Sequence, residues 1–185
     1  MRKIAVVFPG VGYTKDRPLL YYSGRLAVKY GYELKSMDFS GISWSKEKLK
    51  DKEFLRRTVE RCLKTAEEAL SEFGDISQDE VVFISKSIGT VVATAYGDRA
   101  GVGAKQICFS PLEAIEGFVR ERGAVLFYGD ADPYADHRAI EGIAKKKSLE
   151  TFRIAGGNHS LETGDIFTDI DNLKSMMQRV EELIR

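Results

Sequence analysis

Six short runs of apolar and β-branched residues recur along the chain, at 3–8, 32–37, 80–84, 106–109, 124–128 and 149–154. Their lengths are those of strands, and runs such as Ile4-Ala5-Val6-Val7-Phe8 and Val81-Val82-Phe83-Ile84 carry no polar alternation, the pattern of a strand covered on both faces. Between most of them the period becomes helical. Leu19, Tyr22, Leu26 and Tyr30 mark one face of a helix predicted from Arg17 to Tyr30, with Asp16 as its N-cap and Gly31 just past its end. Leu55, Val59, Cys62, Ala66, Leu70 and Phe73 mark a second over 46–73, closed by Gly74. Ile88, Val91, Val92 and Ala95 mark a third, and Ile166, Ile170, Leu173, Met177, Val180 and Ile184 a last one behind the capping candidate Asp165. Strands alternating with helices imply parallel pairing. The predicted fold class is α/β, a doubly wound, mainly parallel six-stranded sheet with helices on both faces, in one domain spanning 1–185.

Composition narrows the partners. At 185 residues, 43% hydrophobic, the chain is long enough to bury roughly 70% of its unfolded surface in one core and too short for two full ones. Lysine plus arginine equals aspartate plus glutamate at 28 each, so no basic field exists to hold nucleic acid. The local run Lys145-Lys146-Lys147 reads as a helix end, where positive charge suits the macrodipole. No stretch approaches membrane-spanning length, and the apolar residues after Arg2-Lys3 reach Pro9-Gly10 too soon for a signal peptide. Cys62 and Cys108 show no pairing pattern and read as buried free thiols of a reducing, cytoplasmic setting.

Candidate chemistry sits where the runs end. After the third run comes Ser85-Lys86-Ser87-Ile88-Gly89, a small-residue turn that delivers Ser87 into a helix N-terminus. There the hydroxyl is presented above the sheet edge and the N–H of Ile88 has no intrahelical acceptor, so nucleophile and oxyanion donor come together. A serine hydroxyl needs a base, itself oriented by a carboxylate. Of the two histidines, His137 reads as an exposed first-turn helix residue, whereas His159 lies in the Ala155-Gly156-Gly157-Asn158-His159-Ser160 loop after the last run. Asp130 and Asp132 both occupy the turn after the fifth run, with Asp132 preferred. Each residue also has a structural reading: Ser87 and Asp132 as N-caps, His159 as a loop residue. The chain order Ser87, Asp132, His159, each at a strand end, favours a triad on an α/β sheet.

On these segments the chain resembles the α/β-hydrolase superfamily, and within it the small, lidless, dienelactone-hydrolase-like members, over nearly its full length. Ser85-Lys86-Ser87-Ile88-Gly89 stands where that family has Gly-x-Ser-x-Gly, with Ser85 replacing the first glycine. Gly129-Asp130-Ala131-Asp132-Pro133-Tyr134 looks like its acid turn, and Gly157-Asn158-His159-Ser160 like its histidine loop. Pro9-Gly10-Val11-Gly12-Tyr13 follows the first run where similar hydrolases place His-Gly-x-Gly. The resemblance implies a second oxyanion N–H there, assigned to Val11, with Gly12 and Tyr13 as alternatives. It also implies a serine hydrolase cleaving a small acyl ester or thioester through an acyl-enzyme. The rival is a protein of the same fold that binds a metabolite or partner with little turnover.

The family's lid position corresponds to Ser110–Gly123, too short for a cap domain, so an open, shallow site for small acyl substrates is expected. Tyr13 and Trp44 are candidate pocket walls. Lys86 reads either as an ammonium facing the substrate or as a solvated or ion-paired lysine. Gly10-Val11-Gly12 starts a dinucleotide fingerprint, but Lys15 stands where its third glycine belongs. Asp130 to Glu141 approaches a calcium loop, but Tyr134 and Ala135 hold positions that require an oxygen ligand and a glycine. No zinc-type spacing occurs. No cofactor and no metal are expected, and a small-molecule acyl substrate is the only expected partner.

Overall fold

A computed structural model describes residues 1–10, 12–43, 45, 48 and 51–185. Its sheet has six strands, β1 (Lys3–Phe8), β2 (Glu33–Ser36), β3 (Glu80–Lys86), β4 (Lys105–Phe109), β5 (Ala124–Gly129) and β6 (Glu150–Ile154), in the order β2-β1-β3-β4-β5-β6. Every pairing is parallel. The helices are α1 (Pro18–Lys29), α2 (Lys52–Leu70), α3 (Ile88–Arg99), α4 (His137–Lys147) and α5 (Ile166–Ile184).

The unalternated apolar runs have a direct cause. Ile4, Val6 and Phe8 of β1 enter one core layer with residues of α2, α3 and α4, while Ala5 and Val7 enter the opposite layer with residues of α1 and α5. Both faces of each central strand are therefore apolar. α3 lies inside for most of its length: every residue from Ile88 to Gly97 is buried. Parallel registry, with Phe8 beside Ser85, Lys86 beside Phe109 and Phe109 beside Phe127, brings four strand ends onto one edge.

Several local expectations change. α1 is capped by Arg17 without a side-chain bond, not by Asp16, because Pro18 opens the helix with a fixed φ and no N–H to satisfy. Its inner face is Leu19, Leu20, Ser23, Gly24 and Ala27, while Tyr22 is 49% exposed. The small residues set this rotation: a Cβ on Gly24 would lie 3.1 Å from the Leu34 side chain. α2 begins at Lys52 behind Asp51, whose carboxylate accepts the Glu53 and Phe54 N–H groups; Lys46, the expected start, lies outside the described residues. α5 buries Met176, Val180 and Ile184 but leaves Ile166 and Ile170 exposed. Between Ser110 and Gly123 there is only a short 3-10 segment, Glu113–Gly117. Among the described residues no helix is long and apolar enough to cross a membrane.

Candidate active site

β3 ends in a sharp corner. Ser87 has φ 56° and ψ −126°, a left-handed backbone that an ordinary side chain avoids, and its N–H is tied to the Phe109 carbonyl at 3.0 Å. Such a corner exists only if the neighbours leave room. A Cβ on Gly89 would lie 2.2 Å from the Phe8 carbonyl oxygen, and one on Gly10 would lie 3.0 Å from that of Lys86. Ser85, standing where the elbow motif has its first glycine, is fully buried, and its hydroxyl donates to the Ile107 carbonyl at 3.1 Å. The serine is thus accommodated by a hydrogen bond to β4. Ile88 opens α3, so its N–H is one of the donors a helix leaves unpaired.

Above the corner, Ser87 Oγ lies 2.8 Å from His159 Nε2, and His159 Nδ1 lies 2.6 Å from Asp132 Oδ2. Burial raises the Asp132 carboxyl, but the hydrogen bond and charge of His159, the Tyr134 N–H and the Lys86 charge more than reverse this and hold it below its ordinary value. An ionised Asp132 only accepts, so Nδ1 carries the proton and Nε2 is left to accept the Ser87 hydroxyl. Ser87 is 3% exposed, and the side chains of His159 and Asp132 are 19% and 3% exposed. Hydroxyl, imidazole and carboxylate thus lie in one hydrogen-bonded line.

The neighbouring aspartate has a different task. Asp130 Oδ2 accepts from Arg153 Nη2 at 2.7 Å, and Oδ1 accepts the Gly156 N–H at 2.6 Å. It therefore anchors the start of the histidine loop. That loop passes so close to β5 that a Cβ on Gly129 would lie 2.0 Å from the Gly157 carbonyl oxygen. Asn158 Oδ1 accepts the Ser160 N–H at 2.7 Å, and Leu161 takes φ 63° to complete the turn. His137 opens α4 behind its N-cap Asp136, away from Ser87. Glu141 accepts the Tyr128 hydroxyl, so the acidic residues of the calcium-like pattern are engaged elsewhere.

The pocket candidates divide. Val11 and Trp44 lie outside the described residues. Gly12 and Tyr13 follow in a turn closed by the Gly10 N–H on the Tyr13 carbonyl at 3.2 Å, and the Tyr13 hydroxyl accepts the Leu19 N–H at 3.2 Å. Burial pushes the Tyr13 hydroxyl up to about 12. Lys86 departs from the expectation of a solvated lysine. It is 1% exposed, and its ammonium donates to the His159 main-chain carbonyl at 2.5 Å instead of facing solvent. A fourth residue on this rim, Ser110, has φ 42° and donates its hydroxyl to the same carbonyl at 2.9 Å. Its place immediately after β4 is the only signal for it in the sequence.

The shallow site expected from the missing lid is also modified. A hollow of about 750 Å³ lies between α2, the Leu112–Phe118 segment and the 132–136 turn, with Leu55, Val59, Leu63 and Val91 as its apolar wall. It meets this hydrogen-bonded line along Asp132 and Tyr134, whose ring packs edge-on against His159 at 5.0 Å, and not at Ser87 itself. Lys52, Arg56, Glu60 and Glu113 give it a charged rim.

No protein-family model matches the chain, and no curated protein matches it. Solved structures do. Est1E from Butyrivibrio proteoclasticus with ferulic acid bound is similar at TM-score 0.70 and 14% identity, over 98% of this chain and 87% of that one. A lidless α/β serine hydrolase from Xanthomonas campestris is similar at TM-score 0.69 and 13% identity, over 97% and 81%. An α/β serine hydrolase homologue from Coxiella burnetii follows at TM-score 0.66 and 14% identity, over 96% and 84%. The chain has the α/β-hydrolase fold, and the expected sheet with helices on both faces is the one observed.

Proposed function

We propose that this protein is a serine hydrolase that cleaves small acyl esters or thioesters by transferring the acyl group from Ser87 to water. The supporting observation is the unbroken line from Asp132 through His159 to Ser87, at 2.6 and 2.8 Å. In this reading the Ser87 oxygen adds to the substrate carbonyl carbon while His159 Nε2 takes its proton. The N–H of Ile88 and a second donor from the turn after β1, assigned to Val11, hold the oxyanion; losing one such donor costs about two to three orders of magnitude in turnover. Collapse of the intermediate breaks the bond to the leaving oxygen or sulfur, which receives the proton from His159. Water, deprotonated by the same nitrogen, then releases the acid and restores Ser87. The hollow beside Asp132 and Tyr134 offers room for the apolar remainder of the substrate.

A fluorophosphonate probe tests this. Wild-type protein is expected to be labelled and to hydrolyse p-nitrophenyl acetate, and Ser87→Ala to lose labelling and at least about three orders of magnitude in kcat. Persistent labelling of that variant, or a wild type that neither labels nor hydrolyses a panel of acyl esters, would overturn the proposal.

A further inference from the structure

Lys86 lies between the nucleophile and the sheet, and its burial needs a reason. A fully buried ammonium is expensive unless it is paired. Its Nζ points beneath the histidine loop to the His159 carbonyl, 5.1 Å from the centre of the Tyr13 ring. The charges facing it are those of Asp132, from the turn after β5, and Glu162, from the histidine loop. Burial lowers its pKa to about 7 in spite of those two carboxylates, and either protonation state retains an N–H to donate.

The acceptor is the informative partner. The His159 carbonyl belongs to the residue whose ring must face both Ser87 and Asp132, and it receives two side-chain donors, Lys86 Nζ at 2.5 Å and Ser110 Oγ at 2.9 Å. These donors come from the carboxyl ends of adjacent, paired strands: Lys86 closes β3 and Ser110 follows β4. Ser110 adopts φ 42° where it supplies its hydroxyl. Strain retained at a polar contact beside a reactive group is a mark of function.

We propose that Lys86 is a positioning residue which, with Ser110, latches the main chain of His159 to the sheet and so sets the reach of its imidazole to Ser87. The inference rests on the hydrolase reading only for its kinetic readout. The loop that carries His159 lies 27 residues from Asp132 and 72 from Ser87 in sequence, so the reach of its ring depends on the contacts that tie the loop to the sheet. A displacement near 1 Å costs on the order of a hundred-fold in rate, so two charge-assisted or hydroxyl donors on one carbonyl are proportionate to the task.

Lys86→Met keeps the stem and removes the donor. It is expected to lower kcat for p-nitrophenyl acetate by about ten- to a hundred-fold with KM within about two-fold, and to slow fluorophosphonate labelling of Ser87 by the same factor. Ser110→Ala is expected to lose about three- to ten-fold, and the double variant to depart from the product of the two, because both donors serve one oxygen. A second readout needs no turnover: the low-field proton resonance of His159 Nδ1, sharp in the wild type, is expected to broaden in both single variants. Unchanged kcat, a loss carried by KM, multiplicative effects, or an unaltered Nδ1 resonance would overturn the latch. Should Lys86→Met fail to fold, Ser110→Ala decides the matter alone through its kcat and its resonance. Wild-type protein that shows the resonance but hydrolyses nothing would instead overturn the hydrolase reading and leave the latch standing.

Discussion

The two edges of the sheet are built from the same strands and treat polar groups in opposite ways. At the amino edge, Arg2 pairs with Asp79 at 2.6 Å, Lys3 approaches Glu80 at 3.6 Å, and Lys105 donates to the Leu183 carbonyl, all at the surface. At the carboxyl edge, Ser85, Lys86, Ser87 and Ser110 are buried, and two of them hold left-handed backbone that costs about 1–3 kcal/mol each. The amino edge is arranged as solvated charge, which is worth little to stability. The carboxyl edge accepts strain and desolvation to fix a few atoms. That asymmetry sets the two ends of the same strands apart before any chemistry is assigned.

The sharpest test lies inside one turn. Asp132→Asn is expected to lower kcat for p-nitrophenyl acetate by about four orders of magnitude, because an amide no longer enforces the tautomer that leaves Nε2 free to accept. Asp130→Asn, two residues away, is expected to lose less than about ten-fold, since it ties the loop to Arg153 and Gly156 and not to the ring. Equal losses would erase the distinction between the two carboxylates.

Close packing at the carboxyl edge is tested by Gly89→Ala. Its methyl group would meet the Phe8 carbonyl oxygen at 2.2 Å and that of Pro9 at 2.6 Å, both main-chain atoms that cannot step aside. A destabilisation above about 3 kcal/mol by urea unfolding is expected, or failure to fold. The opposite edge supplies the contrast. Arg2→Ala removes an exposed side chain and is expected to move the melting midpoint by no more than about 2–4 °C with kcat unchanged. A large loss there would show that the amino edge is no passive surface.

Much of this arrangement is legible in the residues. Strand ends followed by Ser87, Asp132 and His159 in chain order place three groups on one edge, because a parallel sheet aligns all carboxyl ends on the same side. Helix rotation is less legible. Tyr22 and Ile166 fit an apolar stripe but are exposed, and the close approach of Gly24 to Leu34 helps decide which side of α1 is covered. Lys86 eludes the residue pattern for a related reason. In a strand buried on both faces, period-two patterning carries no information about direction, and a lysine at its end looks like the return to solvent. Only the path of a loop 73 residues further on reveals what its nitrogen touches. Ser110 is hidden similarly, since nothing in Phe109-Ser110-Pro111 announces a left-handed residue.

The separations within the triad set an order of events during synthesis. Ser87 emerges just after β3, Asp132 follows β5, and His159 follows β6, 72 residues after the serine. Contacts of such long range form only once the intervening chain has closed, and amino-terminal segments leave the ribosome first. In the proposed reading, a nascent chain halted before residue 159 therefore holds Ser87 and Asp132 without the imidazole that links them.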